Sequence, residues 1–106
     1  MQIFNGREFN FETQGEGPST VEEFEVGFTA TGATAVLEGM DVQFANRHDH
    51  HLGRVRAMLT ADITGGGGNF VRVTVDVVLR DWSGGDDDRN GDDDIKGTIR
   101  YAVIVV

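Results

Sequence analysis

A run of acidic residues near the C-terminal end holds the densest set of potential metal ligands in the chain. It spans residues 86–94 and alternates carboxylates with an amide around a glycine turn. The four candidate ligands are Asp86, Asp88, Asn90 and Asp92. This spacing matches the first half of an EF-hand calcium loop, but Gly97 stands where the bidentate glutamate is needed, and strand patterns flank the run. The run predicts either a calcium site of another type or a solvated acidic loop extended by its own repulsion.

Three histidines lie close together at His48, His50 and His51, with Asp49 among them. His48 and His50 are two residues apart, so on an extended segment they face the same side. Imidazoles and a carboxylate are ligands that zinc and nickel accept. The alternatives are an exposed polar loop and a loop whose histidines, His50 among them, contact an organic ligand.

Trp82 follows Asp81 at the end of a strand pattern and beside the acidic run. A tryptophan ring presents an apolar face with a polar edge. Such a face can stack on a sugar ring while neighbouring carboxylates bond its hydroxyls. The alternative is that Trp82 packs on the end of the fold.

Residue types typical of nucleophilic or nucleotide-dependent enzymes are missing. The chain has no cysteine, and neither Ser19 nor Ser83 lies in a nucleophile-elbow pattern. The run Gly65–Gly68 lacks the lysine and the strand-to-helix setting of a phosphate loop. We therefore expect a protein that is not an enzyme. No cofactor is certain from the sequence, and calcium is the candidate that the acidic run offers.

Two alternating segments organise the chain, residues 54–63 and 70–79, joined by the Gly65–Gly68 run. A period of two places every other side chain on one face of a sheet. The two segments therefore predict a central β-hairpin. Its buried face is predicted to carry Val55, Ala57, Leu59, Ala61, Ile63, Val71, Val73, Val75, Val77 and Leu79.

Weaker patterns predict four further strands. Residues 1–12 predict an edge strand or an arm, and residues 23–30 a strand with an acidic outer face. Residues 33–45 change parity near Glu38 and Gly39, which predicts a β-bulge. Residues 95–106 predict a last strand whose end is apolar on both faces, as at a subunit contact. The fold class is therefore all-β, a six-stranded antiparallel β-sandwich. It is a single domain, with residues 1–20 as an N-terminal arm or edge strand and loop and residues 21–106 as the sandwich.

The net charge of the chain limits the classes of binding partner that we expect. The 106 residues include 18 acidic and 9 basic side chains, a formal net charge of −9. Nucleic acids and anionic membranes attract basic surfaces, so we expect neither as a partner. No apolar run approaches the roughly 20 residues that cross a bilayer, and the N-terminus lacks a signal-peptide pattern. A soluble protein is expected, in a compartment that the sequence leaves unknown.

The segment from Phe24 to Val106 resembles the H-type lectin domain. The motifs that carry the resemblance are Glu25-Val26-Gly27-Phe28, Met40-Asp41-Val42, Arg54-Val55-Arg56-Ala57 and Ile99-Arg100-Tyr101-Ala102-Val103-Ile104. The resemblance implies a trimer with sites for N-acetylgalactosamine-type or galactose-type sugars at subunit boundaries. It also implies that Arg54 and Asp41 contribute to those sites. The family's aromatic–histidine pair has no match, because Val77 and Val78 stand near that position.

Together these patterns predict a non-enzymatic carbohydrate-binding module in which Arg54, Asp41, His50 and Trp82 contact the ligand. The alternative is a structural module, such as a fibre tip or an oligomerisation domain, stabilised by calcium through residues 86–94. In a hairpin, the entry of one strand lies beside the exit of the other. The histidine loop, Trp82 and the acidic run are therefore expected to form one composite patch, opposite the Gly65–Gly68 turn.

Overall fold

Six antiparallel strands form all the regular structure of the described residues, which are 1–14, 17–45, 52–81 and 94–106 of a computed structural model. The strands are β1 (Gln2–Gln14), β2 (Ser19–Glu25), β3 (Ala33–Phe44), β4 (Leu52–Thr64), β5 (Phe70–Asp81) and β6 (Asp94–Val105). The predicted all-β fold of six antiparallel strands is confirmed. No helix capable of crossing a membrane occurs in this part of the chain.

The strands form two three-stranded sheets. Sheet A has the order β1-β6-β3, and sheet B has the order β2-β5-β4. Every pairing is antiparallel. The alternation of apolar residues explains this layering, because each sheet has one apolar face that is stable only when it packs against another. The inner face of each sheet therefore covers the inner face of the other.

The core lies between the two central strands, β5 and β6. Their inward side chains are almost fully buried. They are Val71, Val73, Val75, Val77 and Leu79 from β5, and Ile95, Ile99, Tyr101, Val103 and Val105 from β6. Burial of one valine or isoleucine side chain contributes about 1.5–3 kcal/mol, so this double row supplies most of the driving force for folding.

The predicted hairpin is present, but its two strands are not equivalent. β4 pairs with β5 along its whole length, from Leu52 opposite Asp81 to Thr64 opposite Phe70. β5 has a neighbour on each side, whereas β4 is an edge strand. The inward residues of β4 are therefore only partly buried, and Val55 remains 45% exposed.

The parity change in β3 is a β-bulge, as the sequence predicts. The register against β6 shifts between Leu37 and Gly39. The extra residue allows Ala35 on one side of the bulge and Val42 on the other to pack against the same core, although their positions differ in parity. The bulge thus keeps both halves of a 12-residue strand facing inwards.

One predicted strand lies earlier in the chain than expected. The alternation at residues 23–30 indicated a strand, yet β2 spans Ser19–Glu25. The following residues cross from sheet B to sheet A and bond to the hairpin turn instead. The N–H of Val26 donates to Asn69 O and that of Ala30 to Gly68 O, both at 2.8 Å. The apolar alternation persists because Val26 and Ala30 are buried, although they lie beyond the end of β2.

Candidate functional site

The structure places two of the sequence-predicted site residues, Asp41 and Arg54. The others, which are His50, Trp82 and the calcium candidates Asp86, Asp88, Asn90 and Asp92, lie outside the described residues. The structure does show where their segments attach. Leu52 pairs with Asp81, so the segments that hold the histidines and Trp82 leave β4 and β5 at neighbouring positions.

Asp41 lies in a shallow groove on the outer face of sheet A. The groove has a volume of about 290 Å³. Its lining residues come from all three strands of the sheet: Glu8 from β1, Gly39, Met40 and Asp41 from β3, and Thr98 and Arg100 from β6. We call this feature the sheet A groove.

The register of the strands explains why these residues meet. Thr98 pairs with Asn10 on one side and with Asp41 on the other. Arg100 pairs with Glu8 on one side and with Gly39 on the other. Two adjacent rows of outward positions thus place polar groups across the sheet, and the glycine, which lacks a side chain, opens space beside Arg100.

Hydrogen bonds fix part of the groove. Arg100 donates from Nη2 to Oε2 of Glu8 at 2.9 Å. The Thr98 hydroxyl donates to Oδ1 of Asn10 at 2.6 Å. The hydrogen bond and the charge of Glu8, with a further contribution from Glu38, raise the pKa of Arg100 above its ordinary value. Arg100, like every arginine in a protein, is a permanent cation.

The Asp41 carboxylate is the polar group of the groove that remains available. Within the described residues, no hydrogen bond or ion pair engages it. An ionised carboxylate accepts several hydrogen bonds. Asp41 can therefore accept bonds from the hydroxyl or amide groups of a ligand seated beside Thr98 and Arg100.

Gly97 determines how closely β3 approaches β6 beneath the groove. A Cβ atom at this position would overlap the carbonyl oxygen of Asp41 and lie 2.9 Å from the Cα atom of Val42. Only glycine permits this approach of the two backbones. A glycine within a strand pattern is a sequence signal for such contacts, and it is how Gly97 could have been recognised.

Arg54 lies on the outer face of the other sheet. It pairs with Arg80, and Arg56 follows two residues later on the same face. We call these three residues the arginine cluster. A register shift between Leu52 and Arg54 precedes it. Since the outer faces of sheets A and B point away from each other, one copy of the chain does not bring Arg54 and Asp41 into a single site.

A polar cluster that the sequence did not indicate lies between the sheets, at their β1 and β2 edges. Arg7 forms an ion pair with Glu22 and lies over the ring of Phe24, with Cζ 4.4 Å from the ring centre. The hydroxyl of the buried Tyr101 donates to Oε2 of Glu22 at 3.1 Å. Arg7 shares its position in the alternation with Phe9 and Phe11, so its side chain points to the same inner face. A pattern based on apolar residues alone cannot reveal that this arginine points inwards. This cluster joins the two sheets and belongs to neither outer face.

A wider depression, of about 560 Å³, lies at the end that carries the hairpin turn. Its lining includes Gly27 and Gly67, which contribute backbone only, and Asn69, whose carbonyl accepts from Val26. Its polar side chains are those of Glu25, Thr29 and Asn69. We take the sheet A groove as the candidate site because it contains the sequence-predicted Asp41 and because hydrogen bonds hold its Thr98 and Arg100 side chains in place.

The described residues include no candidate site for a metal ion or a cofactor. No group of three or more histidine, cysteine, aspartate or glutamate side chains that could hold a metal ion occurs among them. The predicted calcium and histidine sites fall in residues 46–51 and 82–93, beyond that range. They remain predictions.

Comparison with known proteins does not assign a family or a function to this chain. No family model, no curated protein and no solved structure matches this chain.

Proposed function

We propose that the protein is a non-enzymatic carbohydrate-binding module and that the sheet A groove holds the sugar. The observation that carries this proposal is the open carboxylate of Asp41, beside polar side chains that are already held in place. Sugars present many hydroxyl groups that both donate and accept. A flat site with fixed acceptors and donors therefore suits them better than a deep apolar pocket.

The hydrogen bonds within the groove support binding on physical grounds. Arg100 is held by Glu8, and Thr98 by Asn10. Side chains fixed before binding lose less conformational entropy when the ligand arrives.

The resemblance to the H-type lectin domain supports the same function and implies a trimer with sites at subunit boundaries. Both matched residues, Asp41 and Arg54, are exposed. Because they lie on opposite outer faces, a site that uses both needs two copies of the chain. A trimer with boundary sites would meet this requirement.

Loss of the Asp41 charge is expected to weaken sugar binding about tenfold or more, because a hydrogen bond to a charged acceptor contributes about 1.5–3 kcal/mol. A glycan array identifies the sugar, and calorimetry then compares wild type with Asp41→Asn. The matched control is Asp62→Asn, an exposed aspartate on the outer face of sheet B. If the wild type binds no sugar on the array, or if both variants bind as tightly as wild type, the proposal is wrong.

The second candidate function is an assembly module, and exposed apolar side chains on the edge strands favour it. Leu37 and Met40 of β3 are 44% and 47% exposed. Val55 and Met58 of β4 are 45% and 48% exposed. These two edge strands lie against each other along one side of the sandwich. An apolar strip on such an edge is suited to contact with another copy of the chain.

Assembly through this strip predicts that Met58→Glu shifts an oligomer towards monomer, since an unpaired charge is costly at a buried interface. Sedimentation at several protein concentrations measures the change. Val21→Glu is the control, because Val21 is 58% exposed on the same outer face but on the opposite edge strand, β2. A wild type that is monomeric at all concentrations contradicts the assembly function.

A further inference from the structure

The side of the sandwich formed by β3 and β4 leaves part of the inner face open to solvent. Leu37 and Met40 of β3 and Val55 of β4 are cross-strand partners of buried residues in β6 and β5. Directly paired residues point to the same face of a sheet, so these three side chains point inwards. They are nevertheless 44%, 47% and 45% exposed. The sandwich therefore leaves apolar inner positions uncovered along this side.

The opposite side, between β1 and β2, is closed by the chain itself. Arg7 forms an ion pair with Glu22 there and lies over the ring of Phe24. The ring of Phe4 packs edge-on against Phe24, with 4.8 Å between the ring centres. No ion pair joins β3 to β4 among the described residues. The β3–β4 side is therefore the one that gains most from contact with another surface.

β4 is suited to accept a further strand at this side. It is an edge strand, so every second residue directs its backbone N–H and C=O away from β5. Its pairing with β5 is regular from Arg54 to Thr64, and this segment contains no proline or lysine. Bulges, prolines and lysines are common protections of an edge strand against pairing. β1 and β3 each have a register shift within their length, whereas the shift in β4 lies before Arg54.

The regular segment of β4 is complementary to itself in the antiparallel direction. A pairing centred on Leu59 spans the segment from end to end, and its inner-face partners are all apolar. They place Val55, Ala57 and Leu59 opposite the partner's Ile63, the partner's Ala61 and the partner's Leu59. Moving the centre to Met58 or Thr60 shortens the regular pairing.

Charge is complementary in the same register. On the outer face, Arg56 of the arginine cluster lies opposite Asp62 of the partner subunit, and two-fold symmetry forms this pair twice. Neither residue has an ion pair among the described residues. Opposite charges on directly paired positions stabilise a sheet. The two pairs offset part of the repulsion between two chains that each have a formal net charge of −9.

We propose that the β4 edge is the contact surface for a second copy of the chain, which pairs with it antiparallel about a two-fold axis at Leu59. The two copies of sheet B then form one continuous sheet, in which neither β4 is an edge. The axis is perpendicular to the sheet, so the two β3 strands also lie side by side and the uncovered inner positions are covered. This inference rests on the assembly function proposed above and specifies its contact. The outer face of sheet A stays open, so the sugar proposal stands or falls separately.

Cysteine cross-linking of the full chain tests the register, since the chain has no cysteine. Leu59→Cys places two cysteines opposite each other across the axis, with Cα atoms about 4.5–5.5 Å apart, which a disulfide can span. Val55→Cys is the matched control, because its two copies lie about 26 Å apart along the paired strands. We expect a disulfide-linked dimer on mild oxidation of Leu59→Cys and none of Val55→Cys. Equal cross-linking of both variants, or none in Leu59→Cys, overturns the proposal.

A charge exchange tests the same contact without cysteines. Arg56→Asp and Asp62→Arg each place like charges opposite each other, so each is expected to weaken dimerisation about tenfold or more in sedimentation. The double variant restores opposite charges and should return the dissociation constant to within about threefold of wild type. The two positions lie about 20 Å apart in one strand, so this recovery arises only between copies. Asp76, diagonal to residue 56, repels the new aspartate in both the single and the double variant.

The outcomes separate this contact from the functions proposed above. Single variants that dimerise as wild type does, or a double variant without recovery, overturn the contact. A wild type that forms a trimer, or any other oligomer that passes neither test, overturns the contact and leaves the assembly function in place. A wild type that is monomeric at all concentrations overturns both. Circular dichroism shows which charge variants fold, and the cross-linking result decides if one of them does not.

Discussion

Gly97→Ala is expected to destabilise the fold by about 3 kcal/mol or more. Overpacking of a well-packed region costs about 1–3 kcal/mol when side chains can yield, and backbone atoms yield less. The added Cβ would meet the carbonyl oxygen of Asp41 and the Cα atom of Val42, both part of the paired strand β3. Relief requires β3 and β6 to separate locally, which also displaces Asp41 from the groove.

Urea unfolding followed by circular dichroism measures this loss. Gly39→Ala is the matched control, because Gly39 lies in the strand opposite and its Cβ would come no closer than 4.0 Å to another atom, Cβ of Arg100. We expect Gly39→Ala to change the free energy of unfolding by less than about 1 kcal/mol. Equal stabilities of Gly97→Ala and wild type would contradict the close approach of β3 and β6.

Glu22→Ala is expected to cost about 2 kcal/mol of folding free energy. The substitution leaves the Arg7 guanidinium without its ion-pair partner and the hydroxyl of buried Tyr101 without its acceptor. Breaking a fully buried pair costs about 3–5 kcal/mol. The side chains of Arg7 and Glu22 are 27% and 36% exposed, so solvent compensates part of that cost.

The next residue along β2 provides the control for Glu22. Glu23 points to the opposite face and pairs with Arg72 at 3.2 Å, with both side chains well exposed. A surface pair of this kind contributes about 0–1 kcal/mol, so Glu23→Ala should change the unfolding midpoint little. A double-mutant cycle of Arg7 and Glu22 isolates their coupling. Equal losses in Glu22→Ala and Glu23→Ala would show that the inner cluster does not join the sheets.

Side-chain alternation was sufficient to predict the two central strands and their inward faces. The inward residues of β5 and β6 are buried, as their period-two patterns predicted. Such a pattern indicates which side of a sheet is covered. The bulge near Gly39 was also predictable, since a strand whose apolar parity changes needs one extra residue to keep both halves on the core. These features are local, and each can be read within one segment.

The order of the strands was not predictable in the same way. β4 and β5 show equally clear alternation, yet only β5 is central, because β2 pairs with its free edge. Alternation indicates which face of a sheet a side chain lies on, but not which strands are neighbours in that sheet. The same limit applies to the site, where Asp41 and Arg54 match one family pattern but lie on the outer faces of different sheets. Arg7 was missed for a related reason, since its inward position depends on a partner in another strand, Glu22.

Chemical-shift mapping with the sugar selected by a glycan array is the most direct test of the sheet A groove as the binding site. The proposed function predicts saturable shifts of the backbone amides of Glu8, Asp41, Thr98 and Arg100, with smaller changes on the outer face of sheet B. Asp41→Asn should raise the sugar concentration needed for saturation about tenfold or more. Saturable shifts that are confined to other surfaces, with the groove signals unchanged, would contradict it.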